Sequence, residues 1–125
     1  MSMWTHIVAS IDVDTFIESH TIKEDVEKML EKAPKITGSE GPADVFINVR
    51  SGSNISNMEN DKYEEFQTLI TITVVGDLRD RTKDQTEKEW QAFKDFIGIE
   101  PELYDENREG LNLEIRNCAC RIWGD

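Results

Sequence analysis

Apolar residues recur at every second position in some stretches of this chain and at three- and four-residue intervals in others. The two patterns alternate in the order strand, helix, strand, strand, helix, strand. Such a chain needs a layered fold, because each amphipathic element must bury its apolar side against another element. From Trp4 to Val13, Ile7, Ala9, Ile11 and Val13 separate from His6, Ser10, Asp12 and Asp14, as in a half-buried strand. Thr21 and Glu24 then form a capping box for a helix with the stripe Ile22, Val26, Met29, Leu30 and Ala33. Pro34 stops that helix.

Lys35 to Pro42 is rich in turn formers and reads as a loop. A second strand follows from Ala43 to Val49, with Val45, Ile47 and Val49 on one face and Phe46 on the other. From Arg50 to about Glu64 no period is visible, which predicts a long exposed connection. Phe66 to Val75 is the strongest strand, with Ile70, Ile72 and Val74 as its core set, and Gly76 is read as its end.

Thr82 and Gln85 cap a second helix, which buries Trp90, Phe93 and Ile97 and closes at Gly98. After an acidic loop from Glu100 to Glu109, the last strand runs from Leu111 to Trp123. Its apolar phase changes between Ile115 and Cys118, so a bulge is expected near Arg116 and Asn117. The succession predicts an α+β domain of 125 residues: a ferredoxin-like βαββαβ sandwich, with a four-stranded antiparallel sheet and two helices on one face. The other sheet face would carry Trp4, His6, Phe46, Leu69, Val75 and Trp123. That is too much apolar area to leave wet, so a homodimer interface, a partner surface or a long loop should cover it.

Charge narrows the functions. With 14 basic and 26 acidic side chains the formal net charge is −12, which repels phosphate backbones and anionic membranes and favours a basic protein surface. No window approaches the roughly 18 apolar residues of a membrane span, and the N-terminus lacks a basic and then apolar leader, so a cytoplasmic address is expected. Cys118 and Cys120 point to one side of their strand about 7 Å apart, too far for an easy disulfide. They read as reduced, buried hydrophobes, since two thiols alone cannot complete a closed zinc site.

Several groups are candidate sites. Gly76-Asp77-Leu78-Arg79-Asp80-Arg81 lies between the strongest strand and a helix, where Asp77, Arg79, Asp80 and Arg81 either hold an anionic ligand such as a nucleotide or pair with one another in a capped turn. Asp12, Asp14, Asp77 and Asp80 come from strand ends; they are either solvated carboxylates or, for a small hydrolase, ligands of magnesium or calcium, though their spacing fits no metal loop. His6 and His20 have no Ser or Cys at a nucleophile spacing, so no catalytic residue and no cofactor is expected. Two acidic loops combine carboxylates with tyrosine: Glu59, Asp61, Glu64 and Glu65 in one, and Glu100, Glu102, Asp105 and Glu106 in the other. They are either solvated surface or a mimic of nucleic-acid charge for a basic groove.

The strings Trp4-Thr5-His6, Lys35 to Gly41, Ala43 to Val49, Gly76 to Arg81 and Ile115 to Cys120 together resemble a family of small proteins encoded by bacteriophages and prophages. The resemblance spans most of the chain and brings no settled activity. Family members often carry a cysteine cluster in the central connection; residues 51 to 65 have none, while Cys118 and Cys120 match the C-terminal part. It implies a small phage accessory protein in the host cytoplasm that modulates host machinery, often a defence system. Joined to the charge, this gives a non-enzymatic inhibitor of a nucleic-acid-handling nuclease. The alternatives are a sponge for a signalling nucleotide and a metal-dependent hydrolase.

Overall fold

A computed structural model describes residues 3–15, 22–55, 64–98 and 114–124, the side chains of residues 51–55 and 64–67 excepted. The elements are β1 (Trp4–Thr15), α1 (Ile22–Glu31), β2 (Thr37–Gly38), β3 (Gly41–Pro42), β4 (Asp44–Ile55), β5 (Glu64–Arg79), α2 (Lys83–Ile97) and β6 (Glu114–Gly124). The long strands form one antiparallel sheet in the order β4-β5-β1-β6, and β2 and β3 form a separate hairpin. The fold is thus mixed α/β, with a four-stranded antiparallel sheet and two helices.

The period of two decides which sheet face is dry. In β1, Ile7, Ala9, Ile11 and Val13 are buried; their register partners on β5 are Gly76, Val74, Ile72 and Ile70. Val26, Met29 and Leu30 of α1 and Trp90, Phe93 and Ile97 of α2 join the same cluster, so both helices cover that one face. Ile47 and Val49 of β4 and Ile115 and Ile122 of β6 extend it toward the two edges.

α2 forms where its sequence places it. Thr82 accepts a hydrogen bond from the Gln85 amide at 3.1 Å, and the Gln85 side chain accepts one from the Thr82 amide at 2.9 Å. This reciprocal box satisfies donors that the first turn would otherwise leave open. Gly98 closes the other end through its amide to Lys94 O at 3.0 Å. The start of α1 at Thr21 lies outside the described residues.

Four expectations are corrected. Residues 35–42 are not a plain loop: Thr37–Gly38 and Gly41–Pro42 pair across Ser39 and Glu40, with Gly41 at φ 129°, a backbone region reserved for glycine. The second strand runs on through Arg50 to Ile55, and β5 begins at Glu64 to pair with it, so Glu64 and Glu65 belong to a strand and not to a connection. A paired neighbour there outweighs the weak strand preference of Ser, Gly and Asn. Nor does Gly76 end β5, which continues to Arg79 opposite Trp4. A Cβ at Gly76 would lie 2.7 Å from Ala43 Cβ, so glycine there permits close packing within the sheet. Cys118 and Cys120 on the edge strand β6 are largely exposed, not fully buried.

The bulge expected near Arg116 is present. Asp12 pairs with Asn117 but Val13 with Ile115, so Arg116 is the extra residue. Its guanidinium donates to Asp14 Oδ2 at 2.6 Å, giving a carboxylate only 1% exposed a charged partner. The hydrogen bond to Asp14, followed by the charges of Asp14 and Glu114, holds the Arg116 pKa above its ordinary value.

The sidedness of β5 gives a direct comparison. Ile72→Ala should lower unfolding free energy by about 2–5 kcal/mol, since it opens a cavity in a dry core, whereas Val75→Ala on the other face should cost less than about 1 kcal/mol. Urea denaturation of both variants checks this, and equal losses would contradict the facing described.

Candidate functional site

The candidate ligand segment is a structural junction. β5 ends at Arg79, and Asp80 turns the chain with φ 61°, a left-handed value that aspartate tolerates better than most residues. The turn is tied to the start of β1: the Asp80 amide donates to Met3 O at 2.7 Å and Thr5 Oγ1 donates to Arg81 O at 2.6 Å.

The β2–β3 hairpin docks on this junction. Gly38 approaches so closely that a Cβ there would stand 2.7 Å from the Arg79 amide nitrogen. The Ser39 amide donates to Arg79 O at 2.9 Å, and Ser39 Oγ lies 2.9 Å from Asp80 Oδ2. Arg79 Nη1 donates to Glu40 Oε1 at 2.9 Å. Arg81 Nε donates to Thr37 O at 2.8 Å, and its Nη2 lies 3.4 Å from Glu89 Oε1 on α2. Arg79, Asp80 and Arg81 therefore clamp the hairpin to the sheet and to α2.

Asp77, the fourth residue of that group, serves the open sheet face instead. Its Oδ1 lies 2.6 Å from His6 Nδ1, and with the carboxylate as acceptor the ring proton sits on Nδ1. The His6 ring is 5.4 Å from Trp123, and Arg121 Cζ lies 5.1 Å from the Trp123 ring centre. Arg121 precedes Trp123 by two, which places both on one side of β6. The spacing of Arg121 and Trp123 in the sequence carries that signal.

Around this cluster the open face is apolar and wet. Val8 pairs with Val75 across β1 and β5 and continues toward Phe46, which is 58% exposed; Leu69 and Trp123 are exposed on the same face. The prediction that this face carries Trp4, His6, Phe46, Leu69, Val75 and Trp123 agrees with the register, and the structure adds Val8.

The four aspartates considered for a metal do not converge. Asp12 pairs opposite Thr71, whereas Asp77 pairs opposite His6, six positions away along β1, or about 20 Å. Asp12 instead accepts from Thr71 Oγ1 at 3.0 Å. Among the described residues no group of three or more His, Cys, Asp or Glu side chains forms a metal cluster. His20, Glu59, Asp61, Glu100, Glu102, Asp105 and Glu106 lie outside the described residues, as do the side chains of Glu64 and Glu65.

Cys120 sits beside Lys83, Glu87, Trp90 and Gln91 of α2. Partial burial, then the charges of Cys118 and Glu87, push its thiol pKa above the ordinary value. Compared with known protein families, with curated proteins and with solved structures, the chain matches none of them. No helix among the described residues is long and apolar enough to cross a membrane.

Two measurements follow from this geometry. Arg81→Ala should destabilise the fold by about 1–3 kcal/mol, the range for a lost charged hydrogen bond, and should speed amide exchange at Ser39. An unchanged Ser39 rate would show that the hairpin does not depend on the clamp. Iodoacetamide should alkylate Cys120 more slowly in the folded chain than in urea at pH 8, because the folded state holds the thiol proton. By the same linkage, the stability contributed by the neutral thiol is full below the unfolded pKa and is lost as pH rises through the raised folded one. Equal alkylation rates in the two states would contradict the raised pKa.

Proposed function

We propose that this chain is a non-enzymatic binding protein that acts through its negative surface on a basic partner, in the manner of a phage accessory protein that blocks a nucleic-acid-handling defence nuclease of the host. The supporting observation is the charge, 26 acidic against 14 basic side chains. Internal pairing cannot remove that excess, because pairs such as Arg79 with Glu40, Arg81 with Glu89 and Arg116 with Asp14 each consume one charge of either sign. The remaining field speeds encounter with a cationic groove and repels phosphate chains.

The proposed scaffold is a ferredoxin-like βαββαβ layer with an added hairpin. When β2 and β3 are set aside, the long strands follow one another as β6-β1-β5-β4. The nucleotide-sponge alternative has less support, since Arg79 and Arg81 already serve Glu40, Thr37 and Glu89. The hydrolase alternative loses its ligand set to the separation of Asp12 from Asp77. A homodimer through Val8, Phe46, Val75 and Trp123 is compatible with the reading and would cover the wet apolar face.

The reading is tested by capturing the chain's partner from phage-infected bacterial cells and titrating it at low and high salt. The expected partner is basic, and its affinity should fall steeply as salt rises. A partner without a basic surface, or an affinity indifferent to salt, would count against the reading.

A further inference from the structure

β4 ends the strand order, so among the described residues one of its sides has no strand neighbour. Among the described residues no strand takes the backbone N–H and C=O groups of alternate residues along that side, which have the spacing to pair with a further strand. Beside it lies a groove of about 370 Å³ between α1 and β4. Leu30, Ile36, Val45 and Ile47 supply apolar walls, and Val45 is 41% exposed despite facing the helix layer. Glu27 and Glu31 of α1 bring carboxylates to the groove, and Lys35 is the one cation among its lining residues; Asp44 borders the groove, but its place opposite Val75 turns its side chain to the open face. Glu27 and Glu31 are four apart on α1, a spacing at which like charges repel.

We propose that β4 is the docking edge for an extended, basic segment of a partner protein, which adds a strand to the sheet and lays lysine or arginine side chains into this groove. This rests on the reading of a basic partner and names where that partner is held. An added strand lies about 4.8 Å from β4, and its side chains alternate between the two sheet faces. Those on the helix side enter the groove. A lysine or arginine fits there because its carbon stem packs on Leu30 and Val45 while its charged head meets the carboxylates of Glu27 and Glu31. The intervening side chains fall on the open face beside exposed Phe46, which favours apolar residues. The fitting segment therefore alternates basic and apolar residues.

The probe is a labelled synthetic peptide of about eight residues alternating lysine and valine, enough to pair along a strand, titrated by fluorescence polarisation with amide spectra of the chain. Binding should weaken with salt, shift the β4 amides, and fall about tenfold for the double variant Glu27→Gln with Glu31→Gln, whose dispersed amide spectrum shows that it folds. A peptide alternating glutamate and valine should not bind, and prolines at alternate positions of the basic peptide should abolish binding. If the basic peptide binds in a salt-dependent way but tolerates the prolines and the double variant, the edge inference falls and the basic-partner reading stands. If no basic peptide binds at all, this inference is overturned, while the reading it rests on is judged by the captured partner. β4 amides already protected from exchange in a dimer without peptide would also overturn it, because a second copy would then hold the edge.

Discussion

Ile7 and Ile11 of β1 and Ile70, Ile72 and Val74 of β5 are shielded completely from water, and each such side chain contributes roughly 1.5–3 kcal/mol relative to exposure. Since consecutive strand residues point to opposite faces, fixing these five toward the helices sends His6, Val8, Asp12, Leu69 and Val75 to the other side. The dry face of this central strand pair thus dictates what the open face can offer a partner. β1 and β5 occupy the middle of the sheet, which leaves β4 and β6 as its edges among the described residues.

Charge acts at two ranges in this molecule. At short range it is structural: Arg116 neutralises a buried Asp14 at the bulge, and Arg79 and Arg81 bind the hairpin to the end of β5 and to α2. These guanidiniums are spent on geometry. At long range the unmatched carboxylates set the sign of the field, and that field bears on which molecules approach. The two uses do not conflict, because pairing leaves net charge unchanged. Cations placed at structural joints, however, are not available for an anionic ligand.

Much of the fold was legible because it is written in local patterns. α2 could be read from Thr82, Gln85, Trp90, Phe93 and Gly98, since caps and helical stripes involve residues within a few positions of one another. The bulge was legible in the phase change from Ile115 to Cys118. The extension of β4 into Arg50–Ile55 was not, because nothing in Ser-Gly-Ser-Asn asks for a strand; pairing with β5 supplies the reason. The clamp was half legible: Arg79, Asp80 and Arg81 stood out, but Thr37, Ser39, Glu40 and Glu89, which occupy them, lie tens of positions away or on another element.

By itself the sequence determined the alternation of strands and helices, the face each one buries and the sign of the net charge, because periodicity and composition are properties of neighbouring residues and of sums. Only the tertiary structure decided that Gly76 is a close-packing site within a strand, that Cys118 and Cys120 lie exposed on an edge, and that Glu27 and Glu31 face β4 across a groove. Those facts depend on which distant segments become neighbours. Strand order sets that, and no local pattern encodes it.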